Sequence, residues 1–128
     1  MMIWPIPNPP AELPPGYRFG APRPYRNGIH QGIDLGKVGE PVYAALDGVV
    51  TFAGQSNGYG GLMVYIKHQG GMQTRYMHLA SGSILVSKGQ KVKEGQKIAT
   101  VGKTGIKLSA GHLHFEILKD GKKIDPEP

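Results

Sequence analysis

Residues 62–79 read LMVYIKHQGGMQTRYMHL, and this stretch decides the fold class. Its two arms, 62–67 and 72–79, are rich in the branched, aromatic and long apolar residues that fit a pleated, half-buried surface. The turn Gln69–Gly71, with two glycines, separates the arms. Because a short glycine turn between two such runs favours antiparallel pairing, we expect a β-hairpin at the centre of the chain.

The segments on either side of the hairpin have the same character. No stretch shows a sustained helical period, and residues 79–86 have room for a single turn at most. Twenty glycines and eleven prolines agree with many turns and short strands. Strands are predicted at 42–45, 48–55, Val92, 98–101 and 112–118. We therefore predict an all-β fold, an antiparallel sheet with short flanking strands.

A short internal echo accompanies these strands. The segments GEPV at 39–42 and DGVV at 47–50 are echoed by GQKV at 89–92 and GQKI at 95–98. Each pair reads as an apolar strand, a glycine-containing turn and another apolar strand. The echo is too short for a solenoid and indicates a duplicated supersecondary unit.

Most of the prolines lie in the first two dozen residues. Proline fixes φ and donates no amide hydrogen, so residues 1–24 are predicted to form an extended arm. The apolar residues of this arm predict that it packs along the domain, and a disordered leader is the alternative. Residues 25–128 then form one compact domain with a single core.

Composition limits the chemistry and the partners. The absence of cysteine excludes disulfides, thiolate zinc sites and cysteine nucleophiles, so any metal must use histidine and carboxylate ligands. The net charge of +6 suggests an anionic partner. The lysines alternate with strand and turn residues and come without a nucleic-acid-binding motif, so we predict a solvated face or attraction to an anionic polymer, and no nucleic acid.

The N-terminus has no basic region and no long apolar run, so it does not read as a signal peptide. No apolar stretch approaches membrane-spanning length, and we expect no stable membrane insertion. The expected form is a monomer.

Two histidines alternate along the predicted strand at 112–118. Successive side chains on a strand point to opposite faces, so His112 and His114 share one face and lie roughly 6–7 Å apart. That separation suits one metal ligand and one residue beside a metal-bound water. The alternative is an ordinary exposed strand face that carries two histidines.

A second candidate pair precedes the sheet. His30 and Asp34 are separated by three residues and flanked by glycines, which permit bending and close approach of the backbone. Two imidazoles and one carboxylate form a catalytic zinc set that leaves a fourth position for water. The spacing alone is common by chance, and it gains force because His114 completes the set.

His78 ends the second strand of the hairpin. Strand alternation predicts that Tyr76 and His78 share one face, while Met77 and Leu79 share the other. The alternative is a half-buried histidine that caps a strand end, and we interpret His68 in that structural way.

Together these pieces resemble the lysostaphin-like (LytM-type) zinc endopeptidases of bacterial cell walls. The resemblance follows the family's order from Phe19-Gly20 to Asp125-Pro126, through the segments 30–34, 39–45, 76–79, 102–105 and 112–116. It implies a lysostaphin-like barrel-sandwich hybrid, also called a duplicated hybrid motif. It also implies that His30, Asp34 and His114 bind Zn²⁺ and that His78 and His112 are the catalytic histidines.

The resemblance further implies the reaction. His112 would draw a proton from the zinc-bound water and His78 would stabilise the oxyanion, although the two roles can be exchanged. The substrate would be the peptide of bacterial peptidoglycan, either a stem–stem cross-link or a glycine-rich bridge. Glu116 has two readings, a partner of a ligand histidine or an exposed ion-pairing residue, and the sequence favours the exposed one.

Two other functions stay open. Some family members lost their ligands and survive as amidase regulators, whereas this sequence keeps all five positions. The echoed motif also resembles lipoyl, biotinyl and phosphocarrier domains, but the chain lacks their Met-Lys-Met-type turn. We expect action on the bacterial cell wall. Without a signal peptide, the chain would accumulate in the cytoplasm until host lysis, as a phage endolysin does, or be virion-associated, or be trimmed from a secreted protein.

Overall fold

The computed structural model describes residues 2–7, 17–21, 31–56, 60–105 and 111–126. Within these ranges there is no α-helix, and none of the helical segments is long and apolar enough to cross a membrane. The described strands are β1 Ile33–Leu35, β2 Pro41–Tyr43, β3 Gly48–Gln55, β4 Leu62–Lys67, β5 Met72–Leu79, β6 Lys91–Val92, β7 Lys97–Thr100, β8 Leu113–Lys119 and β9 Lys122–Ile124.

The predicted hairpin forms the centre of the main sheet. Strands β4 and β5 pair antiparallel across the turn Gln69–Gly71, with Val64 opposite Tyr76 and Ile66 opposite Thr74. The sheet has the order β1-β8-β5-β4-β3-β6, and β9 also pairs with β8. Strands β2 and β7 form a second, two-stranded sheet. All of these pairs are antiparallel, so the predicted all-β antiparallel fold is confirmed.

The internal echo corresponds to two similar units, β2 with β3 and β6 with β7, whose strands pair with those of the other unit. Strand β2 pairs with β7, and β3 pairs with β6, so each unit contributes one strand to each sheet. The turns before β2, β6 and β7 share one construction. The third residue is a glycine with positive φ, and the side-chain oxygen of the fourth accepts a hydrogen bond from the amide of the first. These turns are Lys37–Glu40, Ser87–Gln90 and Lys93–Gln96.

One row of side chains across the main sheet faces the core. Val64, Tyr76, Phe115 and Ile33 lie opposite one another on β4, β5, β8 and β1. All four are buried, and the Tyr76 and Phe115 rings lie 5.3 Å apart. The neighbouring row, Met77, His114 and Asp34, must point to the other face of the sheet, because side chains alternate along a strand. The candidate site therefore lies on the face that points away from the core.

The described part of the N-terminal arm packs on the domain. The Ile3 amide donates a hydrogen bond to the Ala45 carbonyl at 2.9 Å, and the Tyr43 amide donates to the Pro5 carbonyl at 2.8 Å. The Ile6 side chain is buried in the core. The boundary at residue 24 stays a prediction, because residues 8–16 and 22–30 lie outside the described ranges.

Candidate active site

Two of the three predicted metal ligands face each other. Asp34 is the middle residue of β1 and lies directly opposite His114 of β8. His114 Nδ1 is 2.8 Å from Asp34 Oδ1, and both residues are buried. Burial alone would lower the pKa of His114, but its hydrogen bonds to two carboxylates and their charges outweigh burial and raise it.

His112 lies beside this pair, as predicted from strand alternation, although β8 begins one residue later, at Leu113. Its Nε2 is 3.4 Å from Asp34 Oδ2. The His112 side chain is 19% exposed, whereas that of His114 is 4% exposed. The Tyr17 ring lies 6.4 Å from the His112 ring, centroid to centroid. His112 is therefore the histidine of the pair that reaches solvent.

The prediction that Tyr76 and His78 share a face is wrong. His78 has a φ of 65°, in the left-handed region that non-glycine residues seldom adopt. The pairing of β4 with β5 shifts at this point, so that Leu62 lies opposite Leu79 while Val64 lies opposite Tyr76. One extra residue of β5 fits between these pairs, and such a bulge re-aims a side chain.

The bulge brings His78 to the site. Tyr76 stays in the core, while the His78 ring lies 5.5 Å from the His112 ring and 6.2 Å from the His114 ring. Two backbone hydrogen bonds hold the bulge, from the His78 amide to the Gly60 carbonyl and from the Gly102 amide to the His78 carbonyl. Strained backbone at such a position is typical of functional sites.

Thr104 orients the His78 ring, and the sequence patterns did not single it out. His78 Nδ1 is 2.8 Å from the Thr104 carbonyl oxygen. A carbonyl only accepts hydrogen bonds, so Nδ1 carries the proton and Nε2 keeps its lone pair. Burial lowers the pKa of His78 to about 4; the Thr104 hydrogen bond opposes this, and the neighbouring histidines add to it. His78 is therefore neutral near neutral pH.

The Thr104 hydroxyl is itself fixed. It donates to the Leu79 carbonyl at 2.6 Å and accepts from the Leu62 amide at 3.0 Å. These bonds join β4 and β5 at the point where the bulge separates their ladder. The only sequence signal for this residue is its place in the segment 102–105.

The favoured reading of Glu116 as an exposed residue is also wrong, because Glu116 is fully buried. Its Oε2 accepts a hydrogen bond from His114 Nε2 at 2.8 Å. Burial alone would raise the pKa of Glu116, but the His114 hydrogen bond and the charges of His114, Lys123 and Arg75 keep it below its ordinary value. Strand alternation placed Glu116 on the correct face, but it could not show what covers that face.

Gly32 allows β1 to cover this part of β8. A Cβ atom at Gly32 would lie 2.4 Å from the Phe115 carbonyl oxygen, 2.8 Å from Glu116 Cγ and 3.1 Å from His114 Nε2. No side chain fits there without displacing β1 or β8. Close approach, more than bending, is therefore what this glycine provides.

His68 belongs to a different part of the molecule, and its structural interpretation is confirmed. It is buried, with Nδ1 2.7 Å from the Asp47 carbonyl oxygen and Nε2 2.7 Å from Thr74 Oγ1. The Thr74 hydroxyl in turn lies 2.8 Å from the Tyr76 hydroxyl. These bonds occupy both ring nitrogens within the fold.

His30, the third predicted ligand, lies outside the described ranges. Among the described residues, no three histidine, cysteine or carboxylate side chains form a metal-binding group. The two described ligands nevertheless fit zinc. Their facing atoms are 2.8 Å apart, close to the roughly 3.3 Å between two ligand atoms at about 2.0 Å from a tetrahedral zinc. The other nitrogen of His114 meets a carboxylate, which is the usual partner of a zinc-binding histidine.

Comparison with known proteins identifies the family of this chain. The profile of Peptidase family M23 matches residues 28–126. The chain is 44% identical to the peptidoglycan DD-endopeptidase ShyB of Vibrio cholerae serotype O1 over 97 residues, and this alignment covers 75% of the chain and 22% of ShyB. It is also 44% identical to the murein hydrolase activator NlpD of Escherichia coli K12 over 110 residues, and this alignment covers 84% of the chain and 27% of NlpD. The chain thus spans about a quarter of these relatives.

Two solved structures share the fold. A zinc-containing peptidase from Vibrio cholerae superposes with a TM-score of 0.75 and 35% identity, over 95% of this chain and 37% of the other. The catalytic domain of lysostaphin from Staphylococcus simulans also gives a TM-score of 0.75 and 35% identity, over 87% of this chain and 86% of the domain. The predicted lysostaphin-like fold is confirmed, and the chain belongs to Peptidase family M23.

Proposed function

We propose that this chain is a zinc-dependent endopeptidase that hydrolyses peptide cross-links or bridges of bacterial peptidoglycan. The observation that carries the proposal is the convergence of Asp34, His114, His112 and His78 on one face of the sheet. The relatives support the substrate, because ShyB is named a peptidoglycan DD-endopeptidase and lysostaphin an antimicrobial peptidase.

Asp34 and His114 would hold the metal together with His30. Zinc in this position would polarise the scissile carbonyl and lower the pKa of a water molecule, so that hydroxide is available near neutral pH. The burial of Asp34 and His114 suits this role, because low dielectric strengthens the attraction between a carboxylate and a cation. The paired strands β1 and β8 hold the two ligands rigidly.

The hydrogen bond between His78 and Thr104 supports the exchanged roles, with His78 as the base and His112 as the residue that stabilises the oxyanion. With its proton on Nδ1, neutral His78 offers only the Nε2 lone pair to the site, so it can accept a proton from water. It cannot donate a hydrogen bond to an oxyanion unless it gains a second proton. We therefore assign proton acceptance to His78. His112, which reaches solvent beside Asp34, would donate to the developing oxyanion and exchange protons with water.

Glutamine variants distinguish these two roles. A glutamine amide can replace a hydrogen-bond donor in part, but it cannot act as a base. We expect His112→Gln to retain measurable activity and His78→Gln to lose it. Retention by His78→Gln together with loss in His112→Gln would restore the first assignment, with His112 as the base.

The activity itself is tested by digestion of purified peptidoglycans that differ in cross-link chemistry, with the released peptides identified by mass spectrometry. The wild-type chain should cut one type of peptide bond and lose activity on zinc removal. His112→Ala should stop cutting while zinc content is retained, and His114→Ala should lose both. An active His114→Ala variant with normal zinc content would contradict the ligand assignment.

The similarity to NlpD favours one second candidate function, activation of a separate murein hydrolase. An activator needs neither the metal nor the catalytic histidines. It would therefore stimulate a murein hydrolase equally well after chelation and as the His112→Ala variant. The retention of all five predicted site residues supports the peptidase instead, because an activator gains nothing from them.

A further inference from the structure

Glu116 is a carboxylate in an unusual place, fully buried in β8. Removing an ionised carboxylate from water costs several kcal/mol unless charges and hydrogen bonds compensate. A polar side chain that only stabilised the sheet would be replaced at little cost by an apolar one of similar volume. The contacts of the Glu116 carboxylate therefore indicate its role in this part of the structure.

The two oxygens of Glu116 have different surroundings. Oε2 accepts a hydrogen bond from His114 Nε2 at 2.8 Å. Oε1 has no hydrogen-bond partner among the described residues, but it lies 3.6 Å from Lys123 Nζ and 3.9 Å from Arg75 Nη1. The two cations thus balance the charge, while the one hydrogen bond is made with His114.

The surroundings of this hydrogen bond are closely packed. The Arg75 guanidinium stacks on the Tyr65 ring at 4.4 Å, and its Nε donates to Gln73 Oε1 at 3.0 Å. Gly32 lies so close that an added Cβ would be 2.8 Å from Glu116 Cγ and 3.1 Å from His114 Nε2. Neither the carboxylate nor the imidazole has room to turn toward β1.

We propose that Glu116 is a positioning residue for His114: its carboxylate accepts a hydrogen bond from Nε2–H and so fixes the ring with Nδ1 directed at Asp34 and the metal site. The inference rests on the proposed function only in taking His114 as a metal ligand. A neutral imidazole exists as two tautomers, and only the one with its proton on Nε2 offers Nδ1 to a cation. Both ring nitrogens of His114 face a carboxylate at 2.8 Å, Nδ1 that of Asp34 and Nε2 that of Glu116. When a cation occupies Nδ1, Glu116 would hold the remaining proton on Nε2, and Arg75 and Lys123 would balance the carboxylate charge.

The test compares Glu116→Gln with the control Lys123→Gln. Glu116→Gln keeps the shape but replaces the carboxylate by a neutral amide, a weaker acceptor for the Nε2 proton, whereas Lys123→Gln removes a balancing charge and leaves the His114 hydrogen bond in place. Zinc affinity is measured by competition with a chromophoric chelator. The hydrogen bond is read from the ¹H chemical shift and the solvent exchange of the His114 Nε2 proton in the zinc-loaded protein, where the metal occupies Nδ1.

We expect Glu116→Gln to lower zinc affinity about 10- to 100-fold, the usual effect of removing such a partner, and to move the His114 Nε2 proton upfield with faster exchange. Lys123→Gln should keep the wild-type signal of this proton and most of the affinity. Unchanged affinity overturns the proposal, and so does lowered affinity with an unchanged Nε2 proton signal, because Glu116 would then act through charge alone. If Glu116→Gln does not fold, Glu116→Asp decides in the same assays, since its shortened carboxylate withdraws from Nε2.

Neither readout depends on peptidase activity. If the wild-type chain cuts no peptidoglycan but both shifts are seen, the proposed function fails and the role of Glu116 stands. If the wild type cuts peptidoglycan and Glu116→Gln matches it in zinc affinity and in the Nε2 proton signal, the role of Glu116 fails alone.

Discussion

Replacing Thr104 by valine tests whether a single hydroxyl holds the His78 bulge. Valine matches threonine in shape and exchanges the hydroxyl for a methyl group. The change removes the hydrogen bond to the Leu79 carbonyl, at 2.6 Å, and the one from the Leu62 amide, at 3.0 Å. Leu79 is fully buried and Leu62 half-buried, so water replaces these bonds poorly.

The magnitude follows from these contacts. A buried backbone group left without a partner costs about 1–3 kcal/mol. With one deeply buried carbonyl and one partly buried amide affected, we expect the free energy of unfolding to fall by about 2–4 kcal/mol. Urea denaturation followed by circular dichroism measures this loss.

Activity gives the second readout. The Thr104 carbonyl orients His78 through Nδ1, so loosening this segment misplaces the ring. A displacement of about 1 Å at a catalytic group can lower the rate about 100-fold. We expect kcat on peptidoglycan to fall roughly 10- to 100-fold in Thr104→Val, while zinc content stays at the wild-type level because Thr104 touches no predicted ligand.

Thr51→Val is the matched control. Among the described residues, the Thr51 hydroxyl donates a long hydrogen bond, 3.4 Å, to the Tyr65 carbonyl, and Thr51 is half-buried in β3. Its replacement should change the free energy of unfolding by no more than about 0.5 kcal/mol and leave kcat unchanged. If Thr104→Val behaves like Thr51→Val in both assays, the hydroxyl does not hold the bulge and the reasoning is refuted.

Three further substitutions test other contacts. Tyr76→Phe removes a buried hydroxyl that accepts from the Ala45 amide at 2.9 Å, so the free energy of unfolding should fall by about 1–3 kcal/mol while zinc affinity is unchanged. Tyr65→Phe is the control, because the Tyr65 hydroxyl makes a weak contact with Met63 Sδ at 3.8 Å, and equal losses in the two variants would contradict the prediction. Gly32→Ala should lower the free energy of unfolding by about 1–3 kcal/mol and weaken zinc binding, because the added methyl group forces β1 away from β8. Urea denaturation and zinc competition measure these changes, and wild-type values in both would refute the steric argument. Burial lowers the pKa of His68 in the folded chain. As pH falls, the unfolded chain therefore protonates His68 before the folded chain does, and stability is lost below about pH 6.5. The urea midpoint should depend less on pH in His68→Gln than in the wild type, and parallel curves would show that His68 does not contribute.

The strands that the sequence predicts with correct bounds are those specified by residues close together in the chain. The bounds of β3, β4 and β5 agree with the sequence, because alternation and glycine turns specify them without distant contacts. The sequence pattern predicts no strand at the positions of β1 or β9. β1 has three residues and is a strand only because it pairs with β8, and β9 begins with two lysines and also depends on β8.

The candidate site divides in the same way. Alternation correctly placed His112, His114 and Glu116 on one face. The position of Asp34 opposite His114 comes from the pairing of β1 with β8, which the sequence pattern does not predict. The bulge at His78 could not be predicted, because it depends on Gly60, Gly102 and Thr104, which are distant in sequence. The burial of Glu116 likewise depends on Gly32 of another segment.

Glycine has two separate tasks in this fold. At the echoed turns, Gly39 and Gly89 have positive φ, and an added Cβ would meet no atom within 4 Å, so only backbone conformation requires glycine there. Beside the candidate site the requirement is steric: an added Cβ would overlap the Phe115 carbonyl oxygen at Gly32, the Thr104 carbonyl oxygen at Gly61 and the Ala80 amide nitrogen at Gly102. Gly61 also has a φ of 65°, so backbone conformation and close approach both require glycine there. These contacts bring β1 against β8 and the 102–105 segment against β4 and β5. The histidines and Asp34 can therefore meet only because three backbone segments approach more closely than any side chain allows.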